Sequence, residues 1–204
     1  MSKKEYLNNQ LTKGFGFLKL FNNPSFVRHL EIPNIDVSAF TVPKFDSDGK
    51  FIAGPKAYRE EYITYIQSSL KGITNPCLYM FELVSPNVEE VFKTYNAFAE
   101  EQFKIKGVGK RSCSSINNTF LKKENELQIL YVGKSEKPID GRIVVHFGYY
   151  EKGVAGLQLV YWGKEIKLKV NVHVFELLDK EMQPYLEALE KLFFIQLKPI
   201  IGKK

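Results

Sequence analysis

Three groups of polar residues in the second half of the chain have types and spacings that could support chemistry. Arg142 and His146 are four residues apart, so one face of a helix would present both side chains. Gly133 and Lys134 follow an apolar run, where glycine lets the backbone turn tightly and lysine adds a positive charge. Glu190 lies among leucines and phenylalanines, where a carboxylate is costly unless it is paired, exposed or bound to a cation. Each group also fits an ordinary solvated helix or turn, so none identifies a function alone.

The elements that must position these residues follow from the hydrophobic pattern. Apolar runs or strong alternation predict three strands, over residues 77–83, 127–132 and 168–177, and Gly133 is expected to end the second. Helices are predicted over residues 88–103, 142–146, 155–164 and 184–197, the second of them capped by Asp140. The sequence therefore predicts an α+β fold in which helices flank a small antiparallel three-stranded sheet.

The first 75 residues have a different pattern and are predicted to form a helical and β N-terminal extension that packs on the core. Loose helical spacing covers residues 4–21, short edge strands are expected within 31–45, and an amphipathic helix is expected over 57–70. The second domain would then span residues 76–204. Within it, residues 84–126 form a long insertion between the first two strands.

Composition limits the class of protein. The chain has 204 residues, of which 44% are hydrophobic and 14% aromatic, a globular composition. Cys77 and Cys113 are too few for a disulfide scaffold or a four-ligand zinc site. No run approaches the roughly 20 apolar residues needed to cross a bilayer, and a secretory signal is missing, so no membrane partner and a cytoplasmic location are expected.

Positive charge is unevenly distributed. The chain carries 29 basic and 23 acidic residues, and the stretch from residue 102 to 123 contains six cations and no acid. Such a cluster attracts polyanions, so nucleic acid is a natural partner, although a solvated surface is the alternative. The six candidate nucleic-acid-binding residues are Lys104, Lys106, Lys110, Arg111, Lys122 and Lys123.

The remaining polar candidates are expected to be structural. His173 alternates with two valines, so it should point to the outer side of the third strand, and His29 lies in the extension. Cys113 sits in the basic serine-rich stretch, where a reactive thiol is a weaker alternative to an inert one. Trp162 is expected in the core.

The order of the motifs is more informative than any one of them. The first strand begins Cys77-Leu78-Tyr79, and the second contains Tyr131-Val132-Gly133-Lys134. Arg142-x-x-x-His146 follows, and Glu190 stands nine residues before Pro199. Over residues 76–204 this order resembles the GIY-YIG nuclease family, and the second motif is especially similar to that of the bacterial excision-repair incision nuclease. Restriction and homing endonucleases also belong to this family.

The chain departs from the family pattern in three ways. Cys77 replaces the first-motif glycine, and Gly202 stands near the position where the family often has an asparagine. Tyr79 and Tyr131 are 52 residues apart, whereas the family usually joins them by a short hairpin. These departures leave open a catalytically inactive GIY-YIG-like protein that binds nucleic acid or acts as a scaffold. A weaker alternative dismisses the resemblance and leaves a basic protein-interaction domain.

The resemblance implies a metal-dependent endonuclease that hydrolyses phosphodiester bonds in DNA, either restriction-type or structure-selective. Glu190 would bind one Mg²⁺ or Mn²⁺ in each active site, since Mg²⁺ commonly takes one or two carboxylates and several waters. Arg142 would contact the phosphate through its planar guanidinium. Because each chain would hold one active site, cutting both strands of DNA would favour a homodimer.

The resemblance also implies roles for the other catalytic residues. Tyr79 would orient the attacking water or act as its general base, and Tyr131 would bind the phosphate or support Tyr79. A free tyrosine titrates near about 10, so Arg142 and Lys134 would have to lower its pKa. His146 would hold a phosphate oxygen or assist proton transfer.

Overall fold

A computed structural model describes residues 25–44, 46, 48, 52, 63–105, 110, 112–117, 128–149 and 156–202. Its four strands are β1 (Val27–Asp36), β2 (Cys77–Ser85), β3 (Ile129–Ser135) and β4 (Lys169–Leu177). Its α-helices are α1 (Ser68–Leu70), α2 (Val88–Lys104), α3 (Ile139–Phe147), α4 (Leu159–Trp162) and α5 (Leu186–Leu197). A π-helical turn, Ile63–Gln67, leads into α1, and the 3₁₀ turns Val37–Ala39 and Gln183–Tyr185 follow β1 and precede α5. No helix among these residues is long and apolar enough to cross a membrane.

The strands form one antiparallel sheet in the order β1-β4-β2-β3, which confirms the α+β class. The prediction of three strands is wrong, because β1 from the first 75 residues pairs with β4 from Val27↔Leu177 to Asp36↔Lys169. Pro33 lies where the register of β1 shifts, and a proline without an N–H is tolerated at such a bulge on an edge strand. The bulge interrupts the alternation that would have marked β1 as one strand of the sheet.

Both faces of the sheet are covered by helices. Alternation along β2 directs Tyr79 and Phe81 toward one face, whose apolar core includes residues of α2, α3 and α4. Leu78 and Met80 point to the opposite face, where α5 contributes Leu189 and other apolar residues to a second core. β2 and β4 are buried along almost their whole length, and β2 is mostly apolar, whereas β4 also carries the buried polar residues Asn171, His173 and Glu176.

Several element boundaries differ from the predictions. Gly133 lies inside β3 and does not end it. Helix α3 begins at Ile139 with Pro138 as its N-cap, and Asp140 accepts a hydrogen bond from Gln67 Nε2 at 3.0 Å. The helix predicted over 155–164 is limited to α4, since Gln158 has a left-handed φ of 57° immediately before it. The helix expected over 4–21 and residues 57–62 of the one over 57–70 lie outside the described residues, and the rest of the latter forms the π-helical turn and α1.

Buried Glu176 on β4 connects two parts of the sheet. Its Oε1 accepts hydrogen bonds from the backbone N–H groups of Thr74 and Asn75 and from the Asn75 side chain, while Arg28 of β1 pairs with Oε2. Burial raises the pKa of Glu176, but these hydrogen bonds and the charge of Arg28 outweigh it and hold the pKa below 4.5. The ionised carboxylate therefore stabilises the junction between β1, β4 and the segment before β2.

We expect Glu176→Gln to lower the free energy of unfolding by about 1–2 kcal/mol at pH 7, because it removes the charge that accepts three hydrogen bonds and pairs with the half-exposed Arg28. A carboxylate whose pKa is lowered by folding stabilises above its unfolded pKa, so the loss should shrink as pH falls below 4.5. Urea denaturation at pH 7 and near pH 3 measures both values. Exposed Glu181→Gln is the control, and an equal loss at the two pH values would contradict the assignment.

Candidate active site

Tyr79 lies at the centre of a polar cluster between the sheet and α3. It is 1% exposed, and Gly133 faces it on the neighbouring strand. Arg142 Nε donates a hydrogen bond to the Tyr79 hydroxyl at 3.1 Å, and His146 Nε2 lies 2.7 Å from the same oxygen. A Cβ atom at position 133 would lie 2.5 Å from that oxygen, so glycine is required there by the close approach of the tyrosine. The second motif thus makes room for the tyrosine of the first.

The tautomer of His146 follows from its hydrogen bonds. The ring is fully buried, and its Nδ1 accepts a hydrogen bond from the backbone N–H of Leu157 at 3.3 Å. Burial and the charge of Arg142 lower the pKa of His146 well below 6.5, so the ring is neutral at pH 7. A neutral ring that accepts at Nδ1 carries its proton on Nε2 and donates it to Tyr79. The Tyr79 oxygen therefore accepts two hydrogen bonds, one from Arg142 and one from His146.

The two tyrosines have different environments. Burial, followed by the charge of Tyr131, raises the pKa of Tyr79 well above 10, and Arg142 only partly opposes this. Burial raises the pKa of Tyr131 above 10, and the charge of Glu190 adds to this rise, while the charge of Arg142 and hydrogen bonds from Arg142 and Tyr79 offset it only in part. Their ring centroids are 6.1 Å apart, and Tyr131 is only partly buried. Tyr131 is thus the phenol that is both accessible and surrounded by hydrogen-bond donors.

Glu190 of α5 belongs to the same cluster. The backbone N–H of Lys134 donates to its carboxylate, and the side chain is half-buried. Burial raises the pKa of Glu190 above 4.5, although Lys134 and Arg142 act in the opposite direction. The neighbouring Lys191 forms an ion pair with Glu187 at 2.9 Å. Glu187 lies about one helical turn before Glu190 in α5. The Glu190 carboxylate is thereby held at the β3 edge, near enough to both tyrosines to raise their pKa values.

Lys134 contributes to the site mainly through its backbone N–H and through the effect of its positive charge on the glutamates of α5. Its Nζ lies 3.3 Å from Glu136 Oε1, and its charge lowers the pKa values of Glu187 and Glu190. The structure therefore brings together five of the six predicted catalytic side chains, with Lys134 at their border: Tyr79, Tyr131, Arg142, His146 and Glu190. Sequence reasoning missed Leu157, whose contribution is a backbone N–H and leaves no mark in residue type.

The predicted nucleic-acid-binding residues are only partly described. Lys104 is the exposed last residue of α2, and Lys110 Nζ lies 5.6 Å from the ring centroid of Phe103. Phe103 is 82% exposed, so an aromatic ring accompanies these two cations on the surface. The other four candidates, Lys106, Arg111, Lys122 and Lys123, lie outside the described residues.

Three expectations concern residues outside the cluster. His173 does not point to an outer surface; it is fully buried and lies 3.0 Å from Glu82, because the central strand β4 has no solvent-facing side. Burial raises the pKa of Cys113 to about 11 and that of Cys77 to about 12. Both thiols are thus protonated at neutral pH, which argues against a reactive cysteine. Trp162 is 1% exposed, in agreement with its expected core position.

Comparisons of the chain with models of protein families, with curated proteins and with solved structures gave no match.

Proposed function

We propose that this chain is a metal-dependent endonuclease of the GIY-YIG type that hydrolyses phosphodiester bonds in DNA. The supporting observation is the convergence of five side chains from β2, β3, α3 and α5, which are the same residues that the motif order selects: Tyr79, Tyr131, Arg142, His146 and Glu190. These groups come from four separate elements between residues 79 and 190, and an apolar core gives no reason to gather them. A restriction-type or structure-selective enzyme fits this site.

The chemistry of Glu190 fits a divalent cation. A half-buried carboxylate with a raised pKa is stabilised by a positive charge, and the backbone N–H of Lys134 donates a hydrogen bond to it. Mg²⁺ accepts such a site, with one carboxylate and several waters, and Mn²⁺ has similar preferences. When bound, the ion would stabilise negative charge on the scissile phosphate and on the departing 3′ oxygen.

Arg142 would bind the phosphate. Its Nε is engaged by Tyr79, but a guanidinium has five N–H donors in a planar fork and keeps others for phosphate oxygens. His146, neutral and held by Leu157, fixes Tyr79 and thereby the orientation of Arg142. In this proposal His146 and Tyr79 are positioning residues that keep the arginine fork aimed at the substrate.

Water activation is best carried by Tyr131. Burial raises the pKa of Tyr131 above 10, but hydrogen bonds from Arg142 and Tyr79 oppose this rise and stabilise the phenolate, which can take a proton from the attacking water. Tyr79 is 1% exposed and its oxygen already accepts two hydrogen bonds, so it has little access to that water. The general-base role expected for Tyr79 is therefore moved to Tyr131.

We expect Tyr131→Phe to reduce kcat about 10²- to 10⁴-fold and to remove the rise of the rate with pH, because the proton acceptor is lost. Tyr79→Phe should keep that rise but move it to higher pH, since Tyr131 then loses a hydrogen-bond donor. Single-turnover cleavage measured from pH 6 to 10 distinguishes the two variants. A wild-type rate and pH profile in Tyr131→Phe would contradict the assignment of the base.

DNA would be held in part by the surface near the end of α2. Lys104 and Lys110 supply positive charge beside the exposed ring of Phe103, a combination suited to phosphates and an unpaired base. The four basic residues outside the described part of the chain, Lys106, Arg111, Lys122 and Lys123, are proposed to act with them. Cleavage of both strands would use a homodimer.

The function is tested with purified protein and supercoiled plasmid, and with branched DNA, in the presence or absence of Mg²⁺ or Mn²⁺. Wild type should cut with metal, and Arg142→Ala should not, while Lys180→Gln removes an exposed charge elsewhere and serves as the control. If the protein binds DNA but cuts none of these substrates, the catalytically inactive alternative would be supported. Neither binding nor cleavage would refute both forms of the proposal.

A further inference from the structure

A second polar cluster lies on the sheet face opposite Tyr79. It consists of Glu31 on β1, Glu82 on β2 and His173 on β4, and one ligand atom from each lies within 4.8 Å of the others. Glu31 faces His173 across the β1–β4 pair, and Glu82 is three residues after Tyr79, so its side chain points to the other face. The cluster is therefore separate from the proposed catalytic site.

The cluster is costly for an otherwise apolar core. Glu82 is 3% exposed and His173 is fully buried, and the same face carries Leu78, Met80 and Phe175. Two carboxylates this close repel each other, and burial of one of them strengthens the repulsion. A proton on His173 or a bound cation would relieve it. Glu31 is exposed, which leaves a route for a cation from solvent.

The surrounding contacts are those of a metal-binding histidine. His173 Nε2 lies 3.0 Å from Glu82 Oε2, and its other nitrogen, Nδ1, lies 3.2 Å from His29 Nε2. With Nε2 on a metal, Nδ1–H would donate to His29, as ligating histidines usually donate to an outer partner. His29 is held by stacking on Phe175 at 4.5 Å, and Asn171 orients the Glu82 carboxylate with a 2.6 Å hydrogen bond.

We propose that Glu31, Glu82 and His173 form a binding site for a borderline first-row divalent cation, best represented by Zn²⁺. One imidazole and two carboxylates, with water in the remaining position, are ligands that Zn²⁺ accepts, and the imidazole disfavours Mg²⁺. Because the ligands come from three adjacent strands, the ion would fasten the edge strand β1 to the centre of the sheet. The site is thus structural and independent of the proposed nuclease activity.

Calorimetric titration with Zn²⁺ tests this proposal in the Glu190→Gln variant, which lacks the carboxylate proposed for Mg²⁺. We expect one Zn²⁺ per chain, and a rise in Tm of about 5–10 °C at a free Zn²⁺ concentration near 100 times Kd. Adding Glu31→Gln, an exposed change that should fold normally, should weaken binding at least tenfold. Adding Glu181→Gln, at an exposed glutamate outside the cluster, should leave binding unchanged.

Replacing Zn²⁺ with Co²⁺ gives a spectroscopic measurement that does not depend on DNA cleavage. Visible absorption bands of low-coordinate Co²⁺ should appear in Glu190→Gln and disappear when His173→Gln is added. Equal Zn²⁺ affinity with and without Glu31→Gln, or no binding up to millimolar Zn²⁺, would overturn the proposal and leave His173 as a buried partner of Glu82. Because the readouts are binding, Tm and absorption, this result is separate from success or failure of the nuclease proposal.

Discussion

Glu190→Gln is expected to abolish metal-dependent cleavage and at the same time to stabilise the fold. Loss of the carboxylate that would hold Mg²⁺ should lower kcat/KM by about 10³-fold or more, since a catalytic metal supplies several kcal/mol of charge stabilisation. Burial raises the pKa of Glu190 above 4.5, so the ionised form is a burden to the folded state at neutral pH. Glutamine removes that cost, so we expect a higher free energy of unfolding for the variant at neutral pH.

The pH dependence of this gain follows from the direction of the pKa shift. An acid whose pKa is raised by folding costs stability increasingly as pH rises above its unfolded value of 4.5. The advantage of the variant should therefore be largest near pH 7 and vanish below about 4.5. Plasmid cleavage and urea denaturation measure the two effects. The control is Glu187→Gln, an exposed position one turn earlier on α5, which should change cleavage and the free energy of unfolding only slightly. If Glu190→Gln still cleaves DNA, Glu190 is not part of the catalytic site.

Gly133→Ala should disable the same site without removing any polar group. The new Cβ would lie 2.5 Å from the Tyr79 hydroxyl and 2.8 Å from the ring of Tyr131, so both tyrosines must move. Overpacking of this kind costs about 1–3 kcal/mol. Displacing Tyr79 also breaks its hydrogen bonds with Arg142 and His146, and misplacement of about 1 Å can cost a factor of about 10² in rate.

Gly141→Ala is the matched control for this glycine. Gly141 lies in α3, and a Cβ there meets nothing within 4 Å, so alanine should stabilise the helix by about 0.5–1 kcal/mol and preserve cleavage. Thermal unfolding and single-turnover cleavage of both variants provide the comparison. If Gly133→Ala cuts at the wild-type rate, the close packing of Tyr79 on Gly133 is not needed for catalysis.

The residue types and spacings within single elements were readable from the sequence. Apolar runs and alternation identified β2, most of β3 and β4, and the spacing of Arg142 and His146 placed both on α3. These are local properties: a strand shows its burial every second residue and a helix every third or fourth. Local patterns do not predict that the site residues come together; that prediction came from the resemblance of the motif order to the GIY-YIG family.

Tertiary structure alone decided the features that depend on contacts distant in sequence. The pairing of β1 with β4 joins segments about 140 residues apart, and neither segment specifies its partner locally. Burial of His173 depended on its contacts with Glu82 of β2 and the ring of His29 of β1, which alternation within β4 does not reveal. The different accessibility of Tyr79 and Tyr131 depended on how α3 packs over the sheet. Sequence thus determined which chemical groups are present on each element, and packing decided which of them face water, each other or the apolar core.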